Sequence, residues 1–437
     1  MIAEQYVKHL DHLVAAYATA LQTHGYDHVV ITSGTPKSRS SFDDQFWPLR
    51  VTPHFAHLLP LAEPDCLAIL SADGRQPTLV WLREQNFWEQ PAPPEQPWFE
   101  VAWRVVKATT LDALRGHVPE GRVAFVGEEA KRATLLGLEA QHNPEALVKS
   151  LDQLRVHKTP YERRCIDEAN RRAALGHAAV RDAFLAGAGD SELDLHLIYL
   201  KATEQDDWET PYKNIVALGT HAATLHHVSY DRRRDKHGHA TSLLLDAGAT
   251  YAGYHSDITR TYVRGNEGAA KEFAALVAAT DRLQQRLVEE ARVGLKYEAL
   301  HDRAHDYLGE ALAEAGVLKC SAQEAVASRV TRAFLPHGLG HSLGLQTHDV
   351  GCAELKPRAD NPFLRNTTVI APEQVFTIEP GIYFVDLLLE PLRASPKASL
   401  VNWITVDALQ PFGGIRIEDD LRVVDGEAPE NFTRRYL

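Results

Sequence analysis

Cysteine is scarce in this chain of 437 residues: Cys66, Cys165, Cys320 and Cys352 lie far apart, and none forms a CxxC pair. That excludes a disulfide-stapled scaffold and a zinc knuckle. No apolar run is long enough to span a bilayer, which excludes a helical membrane anchor as a partner-binding device. The opening MIAEQYVKHL has no apolar stretch of the signal-peptide kind, so the expected location is cytoplasmic. Basic charge is also in the minority, with 46 Lys and Arg against 59 Asp and Glu and a net charge of −13. Nucleic acid, gripped through clustered Lys and Arg, is therefore not the expected partner. The basic run DRRRDKH, with Arg232 to Lys236, reads as a solvated loop.

What is present is enough apolar material for sizeable cores, at 44% hydrophobic, in a chain too long for one of them. The domain boundary falls in LDQLRVHKTPYERRC. Thr159 is an N-cap, Pro160 suits the first helical position and Glu162 completes a capping box. The helix starting there carries Ile166, Ala169, Ala173, Gly176, Val180 and Phe184 at spacings of three or four and stops near Gly187. Before it, a helix over 4–23 is followed by short β-rich runs: VVITSG, CLAIL, PTLVWL, FEVAWRVV and VAFVG. This is an α/β domain with a mixed sheet, taken as 1–155, in which PAPPEQP is a rigid loop. After it, over 156–437, come two helices, the strands NIVALG and SLLLDAG, and the stretch AGYHSDITRTYVRG. Two long helices over 269–291 and 297–315 follow, then strands carrying Glu379 and Glu418. The expectation is an α+β domain, an antiparallel sheet backed by helices.

That second half holds a carboxylate and histidine series: Asp246 in LLLDAG, Asp257 in HSDITRTY, His341 in HGLGHSLG, Glu379 in FTIEPGIYF and Glu418 in GGIRIED. Four carboxylates and one imidazole suit two hard divalent cations, whose charge they would balance. Asp246 and Asp257 are eleven residues apart with Gly248 and Gly253 between them, as expected if two strands joined by a tight connection aim both into one cavity. Oxygen-rich ligation favours Mn²⁺, with Co²⁺ or Zn²⁺ as alternatives, and Glu418 is the candidate bridge. Taken singly, each residue has a plain structural reading: Asp before Ala-Gly as a turn, Glu before Pro-Gly as a strand end, HGLGH as a glycine-rich loop. Their joint occurrence with these flanks points to a two-metal hydrolase.

With those motifs the chain resembles the pita-bread metallopeptidases, specifically the Xaa-Pro dipeptidases or prolidases. The likeness covers the whole second domain through LLLDAG, HSDITRTY, PHGLGHSLGLQTHDVG, FTIEPGIYF and FGGIRIEDD. SFDDQFWPLRVTPHF and NFWEQ extend it to the N-terminal domain of the bacterial prolidases, the subgroup that includes the organophosphorus acid anhydrolases. The resemblance implies metal ligation by Asp246, Asp257, His341, Glu379 and Glu418, with His337 lining the pocket. His348 in THDVG matches a histidine that contacts the reacting carbonyl, and His226 in TLHHVSYD another active-site histidine. Which of His226 and His227 acts is left open. Arg365 in FLRNTT stands where the family places an arginine that clamps the dipeptide carboxylate; its alternative is a surface position. Arg416, two residues before Glu418 on an expected strand, orients the ligand, contacts substrate or compensates the carboxylates. Tyr212 in TPYKN is a wall for the Xaa side chain or a core tyrosine. Asp44 in FDDQ is implied to reach a neighbouring subunit's pocket and meet the substrate ammonium, in a homodimer.

The chemistry so implied is attack on the Xaa-Pro bond of a dipeptide by a hydroxide bridging two cations. His226 and His348 steady the oxyanion and Glu379 carries a proton to the departing proline nitrogen. Aminopeptidase P, acting on longer peptides with the same five ligands, is the alternative activity, and a non-catalytic pita-bread binding module the alternative class. Phosphotriester hydrolysis would be a side reaction.

Overall fold

The helix expected from Thr159 starts as its sequence requires. Glu162 Oε2 accepts from the Thr159 N–H at 2.8 Å and Thr159 Oγ1 from the Glu162 N–H at 3.4 Å, a reciprocal cap. The helix runs Pro160–Leu185 and buries Ile166, Ala169, Ala173, Val180 and Phe184. Gly187 then takes the left-handed conformation, φ +69°, that ends it. The computed structural model describes residues 2–84, 87–88, 97–188, 191–233, 241–353 and 355–437. It divides into two compact units, Met1–Arg164 and Cys165–Leu437.

In the first unit the helix Ile2–His24 precedes a five-stranded sheet. Its spatial order is Arg104–Ala108, Thr78–Leu82, Leu67–Ser71, His28–Thr32, Val123–Val126. The two outer pairs are parallel and the two inner pairs antiparallel, which makes the expected mixed sheet. Val30, Val80 and Phe125 share a core with Leu114 and Leu136 on one face. FEVAWRVV is only half a strand, because Pro97–Ala102 coils as a 3-10 turn. Phe99 and Trp103 are both buried. The expected rigid loop PAPPEQP lies outside the described residues up to Gln96, as does the basic run from Arg234 to Lys236; Arg232 and Arg233 are exposed.

Among the described residues every strand pair of the second unit is antiparallel. Thr259–Val263, Ser242–Asp246 and Ile215–Leu218 form one sheet, and Val375–Ile378, Asp419–Arg422 and Glu430–Asn431 another. Gly381–Tyr383 pairs with Gly414–Arg416. A bridge between Thr259 and Glu418 ties the first sheet to the last strands. The helices Gly268–Glu290 and Tyr297–Glu314 back this surface, Leu283, Leu287 and Leu300 packing with Phe376, Ile378 and Leu421. Helix Glu192–Thr203 brings Leu195 and Tyr199 against Val216 and Leu243. Truncating such a leucine to alanine costs about 2–5 kcal/mol, so the backing helices hold the sheet firmly. Among the described residues no helix is long and apolar enough to cross a membrane.

Candidate active site

Strand ends gather the charged side chains. Asp246 closes the strand Ser242–Asp246 and pairs with Thr259, so Asp257 follows the return of the chain to the same edge. Between them Thr250–Tyr251 pairs with Tyr254–His255 around Ala252 and Gly253, at φ +49° and +84°. Positive φ at both central residues is what a two-residue hairpin turn asks for. Gly248 has to be glycine, since a Cβ there would lie 2.0 Å from Ser256 O. In HGLGH the same holds for Gly340, whose Cβ would lie 2.1 Å from Thr377 O. That close approach lets His341 O accept from Thr377 N at 2.9 Å and Leu339 O from Glu379 N at 2.8 Å, which sets His341 against Glu379. Contrary to the sequence expectation, Glu379 and Glu418 lie between strands, Glu379 after Val375–Ile378 and Glu418 between Gly414–Arg416 and Asp419–Arg422. Backbone bonds still hold both, Glu418 N–H to Thr259 O at 3.0 Å and Glu379 N–H to Leu339 O at 2.8 Å, so the two carboxylates start from fixed positions.

His341 Nε2 faces three carboxylates, 3.4 Å from Asp257 Oδ2 and 3.8 Å from both Glu379 Oε1 and Glu418 Oε1. These distances are long for direct hydrogen bonds. Asp246, Asp257, His341 and Glu418 are all buried, whereas Glu379 keeps 16% of its side chain exposed. Arg416 donates from Nη2 to Asp246 Oδ2 at 2.6 Å, from Nη1 to Tyr383 OH at 2.9 Å and from Nε to Thr259 Oγ1 at 3.2 Å. The Thr259 hydroxyl in turn donates to Glu418 Oε2 at 2.8 Å, and Tyr212 OH donates to Asp257 Oδ1 at 2.5 Å. Asp246 Oδ1 and Glu418 Oε1 are buried with no hydrogen-bond partner.

The charges are out of balance in a telling way. Burial pushes the Glu379 carboxyl up to about 7 against the pull of His341 and Arg416, and lifts Glu418 well above the usual glutamate range with Asp257 adding to it. Burial raises Asp246 too, despite Arg416. Burial opposes charge on His341, yet Asp257 and Glu379 carry its pKa up to about 9. A buried set that is short of positive charge, with orphaned carboxylate oxygens, fits hard divalent cations.

Around this floor lie the histidines and arginine of the rim. The His348 ring meets that of His341 edge-on at 4.4 Å, and Arg365 Nη1 lies 3.4 Å from His348 Nδ1. His337 accepts or donates at Tyr383 OH, 2.8 Å away, and stands 3.6 Å from Glu379. Burial lowers His337 to about 3; the partial enclosure of His348, with His341 and Arg365 adding to it, lowers that ring to about 4, and His226 is near enough to add to both shifts. His226, His348 and Arg365 are exposed. His227 turns elsewhere, its Nε2 held 2.8 Å from Glu192. Asp44 belongs to the first unit, where it is exposed and accepts from Gln45 Nε2. Sequence reasoning missed Thr259, Tyr383, Asp420 and Glu192. Asp420, which accepts from the Asp257 N–H at 3.0 Å, had a signal in the run EDD that follows Ile417.

Residues 164–425 match the family model for metallopeptidase family M24, and residues 4–153 the model for the Xaa-Pro dipeptidase N-terminal domain. A protein of Pseudoalteromonas atlantica named Xaa-Pro dipeptidase is 38% identical over 443 residues, covering 99% of this chain and 98% of its own. One of the same name from Marinobacter nauticus is 40% identical over 428 residues, covering 98% and 96%. Among solved structures, zinc-substituted aminopeptidase P of E. coli in complex with product superposes with a TM-score of 0.71 at 20% identity, over 100% of this chain and 96% of its own. Proline aminopeptidase P II from Yersinia pestis does so at 0.71 and 22%, over 100% and 97%. At such identities these structures speak for the fold alone, and that fold is the pita-bread arrangement expected of the second half. Sequence likeness along nearly the whole chain, with the carboxylate and histidine cavity inside the matched span, carries the assignment further: the chain belongs to metallopeptidase family M24.

Proposed function

We propose that this metallopeptidase is an Xaa-Pro dipeptidase, cleaving a dipeptide to an amino acid and proline. The observation that carries the reading is Arg365 beside His348, with His348 against His341. A dipeptide ends in a carboxylate one proline ring from the scissile bond, and a guanidinium separated from His341 by the His348 ring gives it a bidentate partner. The full-length likeness to proteins named Xaa-Pro dipeptidase supports the same substrate. The likeness to aminopeptidase P structures supports only the fold, so cleavage of longer peptides has no observation of its own.

Asp246, Asp257, His341, Glu379 and Glu418 would hold two divalent cations, with Mn²⁺ favoured over Co²⁺ or Zn²⁺ by the four carboxylates. When bound, such cations supply Lewis acidity toward the carbonyl and make a water-derived nucleophile available near neutral pH. The protein's own groups do the rest. Tyr212 and Arg416 fix Asp257 and Asp246 in place. His226 and His348 donate N–H to the carbonyl oxygen as it gains charge. Glu379, the most exposed of the four carboxylates, carries a proton to the leaving proline nitrogen. His337 closes the pocket wall. The reading extends to a cytoplasmic homodimer with a catalytic domain over 156–437, in which the first domain supplies Asp44 to the partner's substrate ammonium.

Comparing Ala-Pro with its C-terminal amide tests the clamp. The amide should raise KM by about tenfold or more in the wild type, and Arg365→Ala should erase that preference with metal content unchanged. Equal kinetics for acid and amide in the wild type would contradict the dipeptidase reading.

A further inference from the structure

Outside the cation cavity one fully buried carboxylate makes bonds that the activity has not accounted for. Glu192 opens the helix Glu192–Thr203 behind the N-cap Ser191 and has no exposed surface. Its Oε1 accepts from Leu218 N at 3.0 Å and faces His221 Nδ1 at 2.6 Å. Its Oε2 accepts from Asp231 N at 2.7 Å and faces His227 Nε2 at 2.8 Å. A carboxylate has no proton to give, so both imidazoles donate to it. Burial acts to raise the Glu192 pKa, but bonds from His227, Asp231, Leu218 and His221 outweigh it and hold the group below the usual glutamate range. The two rings stack at 4.3 Å, and Leu193 N binds Asp231 O at 3.2 Å. One side chain therefore pins the segment from Leu218 to Asp231 at both ends and twice between. His226 belongs to that segment and lies within electrostatic reach of His337 and His348.

We propose that Glu192 is a positioning residue, which clamps His221, His227 and both ends of the segment so that the His226 imidazole is presented to the substrate carbonyl. The proposal rests on the role given to His226 above. It also settles which of the adjacent histidines acts: His227 is the tether and His226 the working group. The helix that carries Glu192 is itself packed on the strand that leads into the segment, through Leu195 and Leu218, so the clamp has a rigid base. Donor atoms of Glu192, His221 and His227 come within ligating distance of one another. Each Glu192 oxygen already takes two N–H bonds, however, and a cation would have to displace the imidazole pair.

The test is a double-mutant cycle on Ala-Pro hydrolysis by protein reloaded with Mn²⁺. His226→Ala should lower kcat. Glu192→Gln, which puts an amide N–H against backbone N–H groups, should lower kcat by about tenfold to hundredfold with KM and bound metal unchanged. The double variant should be no slower than His226→Ala alone, because the two residues act as one unit. Losses that multiply in full, or a fully active Glu192→Gln beside a crippled His226→Ala, overturn the proposal and leave the dipeptidase reading standing. Wild-type kinetics for His226→Ala defeat the role of His226 and this proposal with it. A further equivalent of bound metal that Glu192→Gln removes would make the cluster a cation site instead. If Glu192→Gln does not fold, His227→Gln keeps Glu192 and its backbone bonds and carries the same cycle.

Discussion

Arg416 and Asp246, 170 positions apart in the chain, form a buried ion pair with Nη2 and Oδ2 2.6 Å apart. The guanidinium also binds Tyr383 and Thr259, so it compensates the carboxylates from a fixed position. Removing one member of a buried pair costs about 3–5 kcal/mol, since the other charge is left alone. Arg416→Met should therefore destabilise the metal-free protein by about that amount and the metal-loaded protein by less, cations at Asp246 taking over the compensation. Urea unfolding with and without Mn²⁺ measures both. Equal losses would mean that cations do not reach Asp246.

Tyr212 OH holds Asp257 Oδ1 at 2.5 Å. Groups that orient a ligand typically contribute about tenfold to hundredfold in metal affinity. Tyr212→Phe should weaken Mn²⁺ binding on that scale, read by competition with a chelator. Unchanged affinity with an altered preference among Xaa side chains would return Tyr212 to the substrate wall.

These two residues also show what was readable from sequence. The five ligand candidates announced themselves through flanks with a steric reason, Gly248 behind Asp246 and Gly340 before His341, where no Cβ fits. The start of the helix at Pro160 was legible because a capping box is local. The specific pairings were not: Arg416 meets Asp246 across 170 positions, and Asn170 meets Asp420, itself a partner of Asp257, at 2.8 Å across 250. No periodicity records such pairings. Nothing in the sequence around Glu192 marks it, and only the fold brings two histidines and two backbone N–H groups onto it.

His177 gives a pH dependence with a definite sign. It is fully buried, its Nε2 3.0 Å from Ala247 O, and burial pushes its pKa down to about 3, with Arg260 adding to the shift. The folded pKa lies below the unfolded value of about 6.5, so the unfolded chain binds the extra proton between the two. Stability is full above pH 6.5 and is lost as pH falls from there toward 3. At pH 5 the loss from this group is about 2 kcal/mol. His177→Gln keeps an N–H for Ala247 O and should show that much less acid destabilisation between pH 7 and pH 5, by urea unfolding of metal-free protein. Parallel pH profiles for variant and wild type would exclude a buried neutral imidazole at this position.

The most direct measurement is hydrolysis of Ala-Pro and Ala-Pro-Ala, side by side, by chelated protein reloaded with Mn²⁺, Co²⁺ or Zn²⁺, with bound metal counted. A dipeptidase with a cavity for two cations predicts cleavage of Ala-Pro that appears with two metal equivalents, with Ala-Pro-Ala a poor substrate. Preference for the tripeptide, or Ala-Pro cleavage that survives removal of the metal, would contradict it.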